Sequence, residues 1–149
     1  MRILLKTPVS GHFRDVFGRF DRKLFEALKP PGIHLEIVQF DGSQTGNTVH
    51  LKLTILGLLK QEWISKITED SIGSDSAWFV DEGEKLPGFL RYWRHRHLVT
   101  QHGVNNSIIT DDITFRTPFF LLDYIMYPVL YLQFAMRGPL YKKFFNSRS

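Results

Sequence analysis

The residues with chemistry to perform lie close together near the middle of the chain. Trp93, His95 and His97 recur at every second position, and Asp111 stands in the next apolar stretch. If both stretches are strands, side chains alternate between faces. Arg91, Trp93, His95, His97 and Val99 then share one face, and Leu90, Tyr92, Arg94, Arg96 and Leu98 the other. Two neighbouring arginines belong in water, so the tryptophan and both histidines point inward. On the following stretch Ile109, Asp111, Ile113 and Phe115 form the more apolar face, which makes Asp111 the inward carboxylate and Asp112, with Thr110 and Thr114, the outward one. Several chemistries fit. The imidazoles can simply satisfy one another and Asp111 inside an apolar interior. They can orient the polar group of an otherwise apolar ligand, or exchange protons with a carbonyl compound as general acid and base. Two imidazoles with Asp111 could also hold a metal, but this spacing is a weak metal signal and no metal or cofactor is expected.

The elements that must position these residues follow from periodicity. Ile3 to Val9 reads as a strand. Phe13, Val16, Phe17 and Phe20 have helical spacing, and Leu24, Phe25 and Leu28 continue it beyond Asp21, a candidate N-cap. After Pro30-Pro31-Gly32 the period changes to two, giving a hairpin of Ile33–Ile37 and Val49–Ile55 around Asp41–Gly46. Further strands are expected at Glu62–Thr68, Ala77–Asp81, Phe89–Gln101 and Ser107–Arg116, joined by short turns and therefore antiparallel. Pro118 is expected to open a long apolar helix, kinked at Pro128 and broken at Gly138-Pro139. Its stripe Leu122, Ile125, Met126, Val129, Leu132 and Phe134 is expected to face the sheet. The fold class is thus α+β: a curved antiparallel sheet of about seven strands around a C-terminal helix, with two short helices after the first strand.

Composition narrows the function. The 149 residues are 43% hydrophobic, which suits one domain over residues 1–149. With no cysteine, thiolate zinc sites, disulfides and a cysteine nucleophile are excluded, and a reducing cytoplasm is the expected compartment. The net charge of +4 is spread along the chain, so nucleic acid is not an expected partner. Phe119 to Met136 is interrupted by Asp123, Pro128 and Gln133 and reads as a buried helix, so stable membrane insertion is not expected either. Arg137, Lys142, Lys143 and Arg148 complement the helix dipole or are solvated; docking on an anionic membrane is a minor alternative. Asp81, beside Glu82 and Glu84, reads as a solvated strand end. Gly42 and Gly46 lack the context of a phosphate loop, and no Ser-His-Asp motif is recognisable.

The order Phe79-Val80-Asp81, Leu86-Pro87-Gly88-Phe89, Trp93-Arg94-His95-Arg96-His97 and Asp111-Asp112-Ile113-Thr114-Phe115 resembles the START-like (SRPBCC, helix-grip) superfamily across essentially the whole chain. The nearer likeness is to its bacterial ligand-binding and polyketide cyclase-like branch. Two positions depart from that branch: Pro87-Gly88 stands where Gly-Pro is usual, and Phe115 replaces a tyrosine, removing a hydroxyl. The resemblance implies an internal cavity for a small hydrophobic or amphipathic molecule, lipid-like or polyketide-like, in a monomer or weak homodimer. Its expected lining is Trp63, Trp78, Phe79, Trp93, His95, His97, Asp111, Ile113 and Phe115 from the strands, and Leu122, Met126 and Val129 from the helix. Binding without catalysis is the leading expectation. The alternative is a cyclase or aromatase in which His95, His97 and Asp111 move protons.

Overall fold

The computed structural model describes residues 1–147. Strand β1 (Arg2–Ser10) leads into helices α1 (Phe13–Gly18) and α2 (Arg22–Ala27), then into β2 (Ile33–Phe40), β3 (Thr48–Ile55), β4 (Leu59–Ile72), β5 (Ser76–Lys85), β6 (Tyr92–Gln101) and β7 (Asn106–Arg116). Helices α3 (Phe120–Ala135) and α4 (Arg137–Asn146) complete the order as one long bent rod. The seven strands form a single antiparallel sheet in the order β1-β7-β6-β5-β4-β3-β2. Six of its pairings join neighbours or β1 to β7, so only that last pair closes a long loop.

The two short helices are held by caps and by burial. The His12 side chain accepts from Arg14 N at the start of α1, and Asp21 Oδ1 accepts from Leu24 N at 3.1 Å at the start of α2. Six-residue helices are marginal alone. They persist because Phe13, Val16, Phe20, Leu24 and Leu28 pack against Ile67, Phe79, Val99 and Ile109 of the sheet and Tyr141 and Phe145 of α4. A second apolar cluster, Ile3, Leu90, Trp93, Ile113, Phe115, Leu130 and Phe134, fills the other half of the concave side.

Several boundaries differ from those expected. Strand β4 continues through Glu69–Ile72, because a bulge between Ile67 and Glu69 keeps this polar segment paired with β5. Strand β6 begins at Tyr92, since Pro87 to Leu90 form a turn closed by Leu90 N to Pro87 O at 2.9 Å. Helix α3 starts at Phe120, two residues after Pro118: Asp123 Oδ1 accepts from Thr117 N at 2.7 Å and holds the preceding chain as a separate connection. The break falls at Met136, with Gly138 and Pro139 inside the first turn of α4, where a missing N–H costs nothing.

The stripe expected to face the sheet does so only in part: Phe134 is buried and Met126 packs on the second cluster, but the rest does not follow. Leu130 and Phe134 are buried, as are Tyr141 and Phe145 beyond the bend, whereas Ile125, Val129 and Leu132 are exposed. Residues of α3 are apolar on every side, so the 3.6-residue period carries no phase; packing on Ile3, Trp93 and Phe115 sets it instead. Leu24 is fully buried beneath α2. Leu24→Ala is expected to lower the unfolding free energy by about 2–5 kcal/mol in urea titration, and a loss well below that range would show that α2 is not anchored through this residue.

Candidate functional site

Strand pairing assembles a buried quartet. The β6–β7 register sets His97 opposite Asp111, and the β5–β6 register sets Asp81 opposite His95 and Phe79 opposite His97. His95 Nε2 lies 2.9 Å from Asp111 Oδ1, and His97 Nε2 lies 2.8 Å from Asp81 Oδ2. The second nitrogens face the opposite carboxylates at longer range, His95 Nδ1 to Asp81 Oδ2 at 3.6 Å and His97 Nδ1 to Asp111 Oδ1 at 3.8 Å. Each imidazole is therefore hydrogen-bonded to one acid and turns its second nitrogen towards the other, beyond hydrogen-bond distance. The two imidazole rings pack with centroids 3.7 Å apart and an interplanar angle of 35°, and His97 stacks on Phe79 at 4.3 Å. Trp93 Nε1 donates to Asp81 Oδ1 at 3.1 Å, and the Tyr141 hydroxyl donates to Asp111 Oδ1 at 3.3 Å.

Burial pushes both carboxyls up, but hydrogen bonds and neighbouring charge outweigh it, so both lie below the usual carboxylate range. For Asp81 the opposing groups are His97, His95 and Trp93; for Asp111 they are His95, His97 and the more distant Arg137. Ionised carboxylates only accept, so the imidazole nitrogens closest to them carry the protons. Burial, reinforced by His95, lowers His97 to about 4 against the attraction of Asp81 and Asp111, leaving its ring neutral. Burial and the Asp111 charge raise Tyr141, which stays protonated as a donor. Ligating atoms of Asp81, His95 and His97 all lie within 4.8 Å of one another. A divalent ion there would have to displace the proton by which His97 Nε2 is bonded to Asp81.

The quartet borders a cavity of about 160 Å³ between the sheet and the C-terminal helix. Trp63, Phe79, Trp93, His95 and His97 line it, together with Leu51, Leu53 and Ile55 of β3. Trp63 stands edge-on to Trp93 at 4.8 Å and donates to Ser65 Oγ at 2.9 Å. Other expected lining residues lie elsewhere. Trp78 is on the convex face beneath the Arg96 guanidinium, 4.7 Å from its ring, because alternation along β5 gives the inner face to Ala77, Phe79 and Asp81. Ile113 and Phe115 are fully enclosed in the apolar cluster with Ile3, and Asp111 sits behind the histidines. Met126 packs on that same cluster, Leu122 is half-buried away from the cavity, and Val129 is 47% exposed.

Four participants escape a sequence reading. Asp81 is not a solvated strand end, since β5 runs on to Lys85 and Asp81 alternates inward with Phe79; that alternation was the available signal. Arg137 is not an ordinary helix-end cation: its guanidinium lies 4.2 Å from the Phe134 ring and lines the cavity. Gln133, also in the lining, and Tyr141 come from the helix, where no sequence pattern marks them. Lys142 and Lys143 are exposed, and Arg148 lies outside the described residues.

The shifts of His97, Asp81 and Asp111 share one sign. A histidine lowered from 6.5 to about 4 costs the fold nothing above pH 6.5 and progressively more as pH falls towards 4, because the unfolded chain takes up the proton first. Carboxyls held below their ordinary range lose their contribution below that window. Urea midpoints are expected to fall steadily as pH drops through this interval, and a flat profile would mean that the quartet is not ionised as described.

No family model matches the chain, and no curated protein matches it. Solved structures do. Norcoclaurine synthase from Thalictrum flavum, in complex with dopamine and hydroxybenzaldehyde, shares 17% identity over 100% of this chain and 88% of that one, with a TM-score of 0.67. A protein from Chromobacterium violaceum shares 14% identity over 99% of this chain and 98% of its own, at a TM-score of 0.68. One from Mycobacterium smegmatis shares 14% over 99% and 92%, also at 0.68. The chain therefore has the START-like, helix-grip fold.

Proposed function

We propose that residues 1–149 form one binding domain that holds a small hydrophobic or amphipathic molecule between the sheet and the C-terminal helix. The observation that carries this reading is the mixed character of the cavity. Leucine, isoleucine and aromatic side chains make most of its wall, while Asp81, His95, His97, Gln133 and Arg137 converge on part of it. Such a wall takes up apolar surface, at about 25 cal/mol per Å² before the costs of binding, and orients one polar substituent. Among the described residues three buried polar side-chain atoms have no hydrogen-bond partner within the protein, and two of them, Gln133 Oε1 and His97 Nδ1, belong to residues that line this cavity, which supports a role in meeting a ligand group.

A volume of about 160 Å³ suits a molecule built on about one aromatic ring. Longer alkyl or polyketide chains would need the α3 side to move outwards. Norcoclaurine synthase, with which this chain shares its fold, accommodates dopamine and hydroxybenzaldehyde, and compounds of that size are reasonable first probes.

Hydroxybenzaldehyde is expected to quench the emission of Trp63 and Trp93 saturably, and native mass spectrometry of protein purified without detergent to show a retained organic mass. Leu53→Trp, which fills the cavity from β3, should weaken hydroxybenzaldehyde binding by about tenfold or more in calorimetry. His97→Asn should alter preference among substituted phenols more than it alters affinity for benzene. Absence of any saturable binding, or affinity unaffected by Leu53→Trp, would rule this cavity out.

A further inference from the structure

The two ends of the sheet differ in chemistry. Neighbouring strands run in opposite directions, so the β2–β3, β4–β5 and β6–β7 turns leave one end. They are mostly polar: Asp41, Ser43, Gln44, Thr45 and Asn47, then Ser74 and Asp75, then His102, Asn105 and Asn106. Exposed Ile72 and Val104 are isolated there among polar neighbours. The β3–β4 turn, the β5–β6 turn and the β7–α3 connection leave the opposite end, and there the exposed residues are large and apolar. Leu56, Leu58 and Leu59 are 78%, 89% and 51% exposed, and Phe119, Phe120 and Leu121 are 72%, 73% and 64% exposed. Tyr124, Ile125 and Leu132 extend this second group along the outer side of α3. Scattered exposed apolar residues are ordinary, but two such groups on one rim mark an interaction surface.

Charge identifies what it fits. Arg91 and Arg116 stand at the same rim, joined by Arg91 N to Arg116 O at 2.8 Å, and neither enters an ion pair among the described residues. With Tyr92, Thr114 and Thr117 they border a surface notch. Lys60 is exposed beside Leu59. Of the nearby carboxylates, Glu62 is bonded to Lys85 and His50, and Asp123 accepts from Thr117 N; Glu84 is exposed. A second copy of the chain would present these same cations with few free carboxylates to meet them. Lipid phosphates would meet them directly, over acyl chains that take up the leucines and phenylalanines.

We propose that this rim docks on an anionic phospholipid bilayer, with Leu58 and Phe120 and their neighbours entering the interfacial region and Arg91 and Arg116 bound to lipid phosphates. Attachment is peripheral, for no helix among the described residues is long and apolar enough to cross a membrane. Pro30, Ile33, Ile55 and Phe89, which line the cavity, lie towards this rim, so docking would bring the cavity near the acyl region.

Flotation with vesicles of equal parts phosphatidylcholine and phosphatidylglycerol tests this. The protein is expected to float with them, weakly with phosphatidylcholine alone, and less as salt rises. Leu58→Ser with Phe120→Ser, at two exposed positions where circular dichroism and urea titration are expected to show unchanged folding, should weaken binding about tenfold or more. Arg91→Ala should weaken it roughly fivefold. Leu53→Trp should leave it unchanged, so that the bilayer and the cavity ligand fail separately. Absence of flotation, flotation insensitive to the double substitution, or a dimer in sedimentation that this substitution dissociates would overturn the proposal, the last by assigning the rim to a second copy.

Discussion

Two carboxylates, Asp81 and Asp111, are held inside the concave side of the sheet, and each must find donors there or carry a severe desolvation cost. The pair of packed imidazoles supplies them, His95 Nε2 to Asp111 and His97 Nε2 to Asp81. That requirement propagates outward. It fixes the registers of β5, β6 and β7 to within a residue, since a shift of one would send Asp81 or the histidines to the convex face. It also requires α4 to close over Asp111, because Tyr141 supplies a further donor.

The quartet lies at the seam between the two apolar clusters. His97 stacks on Phe79, which belongs with α1, α2 and α4, while His95 meets Trp93 and Phe134, which belong with β1, β7 and α3. Buried ion pairs are poor stabilisers, and well-packed apolar residues of similar volume often serve a fold better. Under the binding function proposed above, such a seam beside a cavity would serve recognition of a ligand group more than stability. Its rigidity suits that task, since a group aimed by stacking and two hydrogen bonds loses little freedom when a ligand arrives.

The C-terminal helix has two unlike sides of similar composition. Its inner side, through Leu130, Gln133, Phe134 and Arg137, completes the cavity; its outer side carries aromatic and aliphatic residues into solvent. A helix that is apolar all round ordinarily lies wholly inside a protein. Here the sheet can cover only one side, and the bend at Met136 directs Tyr141 and Phe145 into the cluster beneath α1 and α2. The Arg137 guanidinium is at that bend, over Phe134, which explains how a cation near a helix end becomes part of an apolar cavity.

The strand content, antiparallel order, two short helices and terminal helix were legible in the sequence, because period two, period 3.6, turn residues and the Asp21 cap are local signals. Alternation alone also implies that Trp93, His95, His97 and Asp111 share a face. Three features were decided only by tertiary structure. The phase of α3 required the sheet, since a helix apolar on every side has no preferred direction until it packs. Asp81 became a partner of both histidines only through the β5–β6 register, which links residues distant in sequence and overrode the local impression given by Glu82 and Glu84. The division of inward aromatic residues between cavity and closed core, separating Phe79 from Phe115, depended on how the sheet packs against the helix, a property of all seven strands together.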